Sequence, residues 1–191
     1  MKAGKFVLKF GLIFVCALLI TSCLLPGMIP LTPIPTVRMP VMEKDAEAHL
    51  ERLKGDGWVY IQALVEEKYT AADLAKPGTL KFTAKITDDK PVYFNYGWCT
   101  TSEEILKQNF EHITVRLYFN DDELGTDVVH PVSFTRTDGL VCLDIGVLMS
   151  DWPAGNYKLE SAVTFDEKIN DGIDDYEAGD YIHQYDVTVE K

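Results

Sequence analysis

Residues 92–99 read Val92-Tyr93-Phe94-Asn95-Tyr96-Gly97-Trp98-Cys99, an alternation that carries most of the information about the fold. Every second side chain is apolar or aromatic, which is the period of a β-strand with one buried face. The same period recurs at 80–86, 113–119, 141–147 and 181–189, with turn-forming residues between these stretches. The pattern predicts a mainly β protein, built as an antiparallel β-sandwich because each apolar face needs a second sheet to cover it.

Helices are expected in only a few places. Residues 102–109 suit a helix that interrupts the strands, with Ser102 as its N-cap. Residues 41–54 have acidic side chains early and glycine just after their end, which is typical of a short helix. The sequence therefore predicts one or two short helices beside the strands.

The segment between the first helix and the strands is harder to assign. Residues 58–65 are apolar at nearly every position, which suits either a strand or the start of a helix. Aromatic and β-branched residues in the first half favour the strand. Residues 69–76 suit one irregular helical turn. We expect 41–76 to form an extension packed on a sandwich of residues 77–191.

The N-terminus has the composition of an export signal. Three lysines and no acidic residue occur in positions 1–9, and an uncharged apolar run follows from 10 to 20. A basic start followed by a short apolar run is typical of a secretory signal peptide. The run is shorter than the roughly 20 apolar residues that span a bilayer. We predict that residues 1–22 are a signal peptide.

The end of that run reads Ile20-Thr21-Ser22-Cys23, which resembles the lipobox of bacterial lipoproteins. The resemblance implies that Cys23 receives a diacylglyceryl thioether, and often a third acyl chain, so that the chain is anchored to a membrane. Two or more acyl chains hold a protein stably at a bilayer. Leu24 stands where an aspartate would resemble an inner-membrane retention signal. The expected location is therefore the cell envelope, at the outer membrane or the cell surface.

A proline-rich stretch follows the predicted anchor. Residues 23–40 contain five prolines, at positions 26, 30, 33, 35 and 40. Prolines at this density oppose helix and favour extended chain. We expect a semi-rigid linker that holds the domain away from the membrane.

Residues 151–159, Asp151-Trp152-Pro153-Ala154-Gly155-Asn156-Tyr157-Lys158-Leu159, resemble the corner before the sixth strand of immunoglobulin-like and fibronectin-like domains. The resemblance covers roughly 77–191 and implies an immunoglobulin-like sandwich. It also implies that the Tyr157 hydroxyl hydrogen-bonds back to the turn. Leu159 stands where immunoglobulins have their second core cysteine, so the usual intersheet disulfide is excluded.

A different disulfide is expected. Cys16 leaves with the signal peptide and Cys23 is lipidated, which leaves Cys99 and Cys142. Two remaining cysteines usually pair in an oxidising compartment, although two free buried thiols are the alternative. Both lie on the non-core face of their strands. If those strands are the second and fifth of the sandwich, they are adjacent and antiparallel, and a Cys99–Cys142 disulfide can form.

The charge of the chain limits its partners. The net charge is −12, and the predicted signal peptide removes three lysines, so the exported protein is more acidic still. Such a chain repels nucleic acid and anionic surfaces. We expect a protein or a neutral glycan as partner, and no nucleic acid.

Acidic residues are densest at 166–180. Calcium takes six to eight oxygen ligands, which such a loop can supply, and the candidate ligands are Asp171, Asp174, Asp175 and Asp180. The segment departs from the EF-hand pattern, because a loop that starts at Asp166 has Asp171 at the required glycine position. A solvated hairpin loop is the alternative.

Motifs for catalysis are missing from the sequence. No histidine stands three to five residues from another, and there is no G-x-S-x-G elbow, P-loop or dinucleotide fingerprint. These observations favour a protein that is not an enzyme.

Aromatic residues near strand ends and turns are the remaining clue to a binding surface. Trp98, Trp152 and Tyr176 are the candidates, although both tryptophans suit the ends of a core equally well. The sequence as a whole predicts a lipid-anchored, non-enzymatic envelope protein whose sandwich binds a ligand or supports structure. The alternatives are a calcium-stabilised accessory subunit of a larger envelope or transport complex and, third, a carbohydrate-active enzyme.

Overall fold

The computed structural model describes residues 39–87 and 89–190. The predicted signal peptide, Cys23 and the linker up to residue 38 lie outside the described residues. The described part is mainly β, as predicted. Its strands are β1 (Val41–Met42), β2 (Val59–Tyr60), β3 (Gly78–Ile86), β4 (Val92–Thr100), β5 (Ile113–Phe119), β6 (Asp122–Glu123), β7 (His130–Thr135), β8 (Val141–Ser150), β9 (Gly155–Phe165), β10 (Ile169–Asn170), β11 (Asp175–Tyr176) and β12 (Gly179–Val189).

Three short α-helices accompany the strands: α1 (Ala46–Leu53), α2 (Ala71–Leu74) and α3 (Glu103–Asn109). Each helix begins after an N-cap residue whose side chain accepts a hydrogen bond from a backbone N–H. These residues are Asp45, Thr70 and Ser102 respectively. The helices predicted at 41–54 and 102–109 are thus confirmed, although the first is shorter because β1 precedes it. No helix in residues 39–87 and 89–190 is long and apolar enough to cross a membrane.

The strands form two five-stranded sheets and one small hairpin. In the first sheet, β8 pairs with β4 along one edge and with β7 and β1 along the other. In the second sheet the order is β3-β12-β9-β5-β6, with β3 parallel to β12 and the other neighbours antiparallel. Strands β10 and β11 form the hairpin.

The two sheets share one hydrophobic core. Phe94 and Val147 of the first sheet belong to the same buried cluster as Leu159 and Tyr185 of the second. A smaller cluster at one end contains Trp98, Ile113, Val163, Phe165, Ile169 and Tyr181. Burial of these faces, at roughly 25 cal/mol per Å² of apolar surface, is the main force that holds the sheets together.

Two details of the sequence interpretation are present in this fold. Strands β4 and β8 are antiparallel neighbours, with Cys99 opposite Cys142, and the predicted disulfide joins them. The Tyr157 hydroxyl donates to the Pro153 carbonyl at 2.9 Å, the contact implied for the corner tyrosine. Membership of the immunoglobulin-like family stays a prediction.

The strand predicted over 58–65 is mostly wrong. Only Val59–Tyr60 is a strand, and a 3-10 turn at Ile61–Ala63 follows it. The turn brings Ile61 into the main core, where it is fully buried, while Gln62 reaches the backbone of β4. Because the apolar side chains of this run pack in different directions, a short turn satisfies them better than a long strand does.

Strand β7 was not predicted. It is an edge strand that carries Pro131, and most of its side chains are exposed, so it lacks the alternation that identified the strands at 80–86, 92–99, 113–119, 141–147 and 181–189. Proline is tolerated at a sheet edge, where one side of the backbone has no partner.

The face of β4 and β8 that points away from the core is also buried. Tyr93 is 1% exposed, because it contacts the rings of His49 of α1, Trp58 and Tyr60. Cys142 and Asp144 on the same face are buried as well. Both faces of the first sheet are therefore covered at Tyr93 and Asp144.

Replacement of both Cys99 and Cys142 by alanine is expected to lower the free energy of unfolding. The bond closes 43 residues, and the chain-entropy relation gives a loss of about 4 kcal/mol. Urea denaturation of the exported protein measures it. Reducing agent should reproduce the loss in the wild type and change nothing further in the double variant. An unchanged midpoint in the double variant would contradict the prediction.

Candidate functional site

One edge of β4 lacks a strand partner over most of its length. Only Val92 and Tyr93 pair with β2, and beyond them the described residues contain no strand on that edge. The register shows which residues face it. Val59 N donates to Pro91 O, so the backbone N–H and C=O groups of the odd-numbered residues in this segment point toward β2. The backbone N–H and C=O groups of the even-numbered residues of β4 point toward β8, because these groups alternate in direction along a strand.

A groove of about 790 Å³ runs along this open edge. One wall is the edge itself, from Asn95 to Cys99, and the opposite wall comes from the second sheet and α2. Six of the side chains that line it are aromatic rings contributed by both sheets and by the connecting segments: Tyr69, Phe82, Tyr96, Trp98, Tyr176 and Tyr185.

Trp98 and Tyr176, two of the three residues predicted to bind a ligand, meet in this groove. Their ring centroids are 4.8 Å apart in an edge-to-face arrangement. The Tyr176 hydroxyl donates to Asp171 Oδ2 at 3.2 Å. Burial of the ring, together with the Asp171 carboxylate, raises the pKa of Tyr176 to about 12. Tyr176 is therefore a neutral hydrogen-bonding group at physiological pH.

Trp152, the third of these residues, lies elsewhere. It is 2% exposed and packs against Phe119 and Tyr157 in the main core. Its indole N–H donates to Met149 O at 3.3 Å. The structure thus brings together Trp98 and Tyr176 but not Trp152.

Two polar atoms of groove-lining residues are buried without a hydrogen-bond partner among the described residues. They are Trp98 Nε1, a donor, and Asn95 Oδ1, an acceptor. Trp98 is 7% exposed and Asn95 is 8% exposed. Buried polar atoms are nearly always paired, so the unpaired Trp98 N–H points to a ligand that accepts from it. Asn95 Oδ1 lies on the other face of β4, where the Asn95 side chain hydrogen-bonds Asp144, and it does not face the groove.

The carboxylates at the groove are already engaged. Glu67 accepts from the Thr83 backbone N–H at 2.6 Å and from the Thr83 hydroxyl at 2.8 Å, which lowers the pKa of Glu67. Asp171 Oδ1 accepts from the N–H groups of Ile173 and Asp174. Both carboxylates hold local structure in place.

The four predicted calcium ligands are spread over the β10–β11 hairpin and β12. Asp171 and Asp174 lie in the hairpin turn, and Asp175 accepts from Asn170 and pairs with Lys168. Asp180 accepts from the Thr164 hydroxyl at 2.7 Å. Within 39–87 and 89–190, no group of three or more His, Cys, Asp or Glu side chains is arranged to hold a metal ion. Calcium binding stays a prediction.

The acidic segment folds into a small hairpin that packs against the end of β4. The Thr101 N–H donates to the Asp171 carbonyl at 2.9 Å, and the Asn109 side-chain amide donates to the Asn170 carbonyl at 3.0 Å. Gly172 has φ +97° and lies so close to Thr101 that any Cβ there would collide with its side chain. The hairpin thereby brings Tyr176 over Trp98.

Behind the groove wall, the covered face of the first sheet holds a cluster of buried titratable groups. Burial raises the pKa of Asp144 to about 6, opposed by a hydrogen bond from the Asn95 side chain. Burial, and then the neighbouring His130, lower the pKa of His49 to about 4. The His49 and His130 ring centroids are 5.0 Å apart, and His130 Nε2 donates to Glu43 O at 3.2 Å.

Sequence reasoning missed most of this site. Gln62, Leu74 and His183 line the groove, yet they come from three separate segments. Alternation placed Trp98 correctly on the core face of its strand, and nothing in the pattern shows that this end of the core is open at the side.

Comparisons with known proteins were made for both sequence and structure. No known family and no curated protein matches the sequence. PbICP-C, in a structure of its complex with falcipain-2, is similar at 9% identity and a TM-score of 0.34, covering 61% of this chain and 92% of that one. The cysteine protease inhibitor EhICP2 from Entamoeba histolytica is similar at 9% identity and a TM-score of 0.32, covering 71% and 100%.

Replacement of Asp144 by asparagine is expected to change how stability depends on pH. The folded pKa of Asp144, about 6, is above its ordinary value of 3.8, so its contribution to stability is present below pH 4 and lost as pH rises through 6. His49 has the opposite effect, because its folded pKa of about 4 is below 6.5, and its contribution is lost as pH falls below 6.5.

The two contributions oppose each other between pH 4 and 6, and Asp144→Asn removes one of them. Relative to the wild type, the variant should gain roughly 2 kcal/mol of stability as pH rises from 4 to 7. Urea denaturation at several pH values measures the difference. Asp186→Asn, an exposed change on β12, is the control. A variant whose curve runs parallel to the wild-type curve contradicts the assignment.

Proposed function

We propose that this chain is a non-enzymatic binding protein of the bacterial cell envelope. Lipid on Cys23 anchors it to a membrane, and its sandwich binds a partner protein in the groove beside β4. The observation that carries the proposal is the groove itself: about 790 Å³, lined by aromatic rings and bounded by an unpaired strand edge.

The chemistry of the groove suits recognition. Aromatic side chains supply contact area with little loss of conformational entropy, which is why they are enriched where proteins bind one another. Glu67 and Asp171, the carboxylates at the groove, are held by hydrogen bonds to the backbone or to Thr83. Because both carboxylates already accept these hydrogen bonds, the groove suits the binding of a partner better than acid–base catalysis.

A protein fits the groove better than a neutral glycan does. Sugar rings stack on open aromatic faces, whereas Trp98 is 7% exposed and Phe82 is 8% exposed, as parts of the groove wall. A side chain that projects from a polypeptide reaches such a recess.

The lipid anchor is tested by labelling cells that produce the full chain with radioactive palmitate. The wild-type protein should incorporate label and sediment with membranes, whereas Cys23→Ala should do neither, because the thioether has no other attachment point. Cys16→Ala is the matched control and should behave as wild type. Absence of label from the wild-type protein would refute the anchor and leave the groove proposal to be judged separately.

The groove is tested with a photo-activated cross-linking residue placed on α2. Leu74 lines the groove and is 42% exposed, whereas Ala72 on the same helix is exposed but outside the groove. In cells that produce the full chain, the residue at position 74 should give a discrete adduct and the residue at 72 none. Co-produced wild-type protein should compete for the partner and lower the yield of the adduct, and co-produced Leu74→Arg should leave the yield unchanged. Equal adducts at both positions contradict the proposal.

A further inference from the structure

Along the open edge of β4, the backbone groups at both ends form hydrogen bonds, whereas those in the middle have no partner among the described residues. Val59 N donates to Pro91 O at 3.0 Å, and Gln62 Nε2 donates to Asn95 O at 3.3 Å. At the far end, Thr101 N donates to Asp171 O at 2.9 Å. Between these contacts, the N–H and C=O groups of Gly97 and Cys99 face the groove with no partner among the described residues.

The closeness of Cys99 to Cys142 agrees with this direction of the backbone. Their Cα atoms are 4.0 Å apart, which is typical of a pair that does not exchange backbone hydrogen bonds. The N–H and C=O groups of such residues point away from the partner strand, so those of Cys99 point away from β8. Gly97 and Asn95 share this direction, because they are two and four residues away.

The gap has the dimensions of a short strand. At roughly 3.4 Å per residue, the distance from Asn95 to Cys99 is about 14 Å, which matches about five residues of extended chain. Gln62 closes one end and the β10–β11 hairpin closes the other, so the position of an added strand would be fixed.

The backbone in the gap is accessible. Gly97 is exposed and has no side chain to cover its N–H and C=O groups. A Cβ at position 97 would collide with Asp144 Oδ1, so the Asp144 side chain would have to move to admit one. The buried carboxylate on the neighbouring strand therefore favours glycine at this position of the open edge.

We infer that an extended segment of the partner protein binds by adding a strand to the edge of β4 between Asn95 and Cys99. The inference rests on the proposed function and names the class of ligand. Paired N–H and C=O groups at a two-residue spacing are complementary to an extended polypeptide backbone, and strand addition is a recurring mode of peptide recognition.

The groove also sets which side chains the segment carries. Every second side chain of an added strand points to the same side, toward Trp98 and Tyr176, where an apolar or aromatic group fits. The groove is lined by two acidic side chains, Glu67 and Asp171, and two basic ones, Lys68 and Arg136, so a neutral segment fits it.

The probe for the test is a library of linear ten-residue peptides displayed on phage and selected on the lipidated full chain in detergent. Selected peptides should bind the wild type and Ala72→Arg equally and lose binding to Leu74→Arg. Each residue of the best peptide is then N-methylated in turn. Methylation at alternate positions should weaken binding about tenfold, because it removes a strand hydrogen bond, and the intervening positions should change little.

Amide hydrogen exchange gives the second measurement. Bound peptide should slow exchange at Gly97 and Cys99 and leave Tyr96 and Trp98 unchanged, because those two amides face β8 in the free protein. Suppose that a peptide fails to bind Leu74→Arg but still binds the wild type when any one of its residues is N-methylated. Strand addition is then overturned, and the proposed function stands.

Two further outcomes are decisive. If selection gives no peptide that Leu74→Arg blocks, both the strand addition and the groove as a protein-binding site are wrong. If Gly97 and Cys99 become protected as protein concentration rises without peptide, a second copy of this chain occupies the edge, and the inference of a foreign segment is overturned.

Discussion

The register between β4 and β8 is the constraint on which the rest of the structure depends. It places Cys99 opposite Cys142, and the disulfide joins the two strands at that point. A slip of one residue would turn every side chain of β4 to the other face of the sheet. It would also reverse the direction of each N–H and C=O group, so the groups of Gly97 and Cys99 would point toward β8 instead of the groove.

The same register explains why polar groups are buried behind the groove. Asp144 lies opposite Gly97, in the space that a side chain at position 97 would need. The segment from α1 to Tyr60 covers this face, so Tyr93, His49 and Asp144 are all removed from water. A strand that is buried on both faces has little freedom to move, and its free edge is therefore held in place before any ligand binds.

The groove exists because two neighbouring elements stop short of the β4 edge. Strand β2 leaves after Tyr60 through the turn at Ile61–Ala63, and the β10–β11 hairpin approaches only as far as Thr101. The acidic segment 166–180 thus has a structural role that its composition did not suggest: it closes one end of the groove and brings Tyr176 over Trp98.

The sequence by itself determined five of the long strands, over 80–86, 92–99, 113–119, 141–147 and 181–189, because alternation reports directly which side chains need burial. It also determined the Cys99–Cys142 pair and the cap Ser102, since these depend on local geometry or on two adjacent strands. The tertiary structure alone decided the groove and the covered outer face. Gln62, Leu74, Trp98 and Tyr176 come together only when two sheets and the segment before them pack, and a period of two residues cannot show what lies across the face or beyond the edge of a strand.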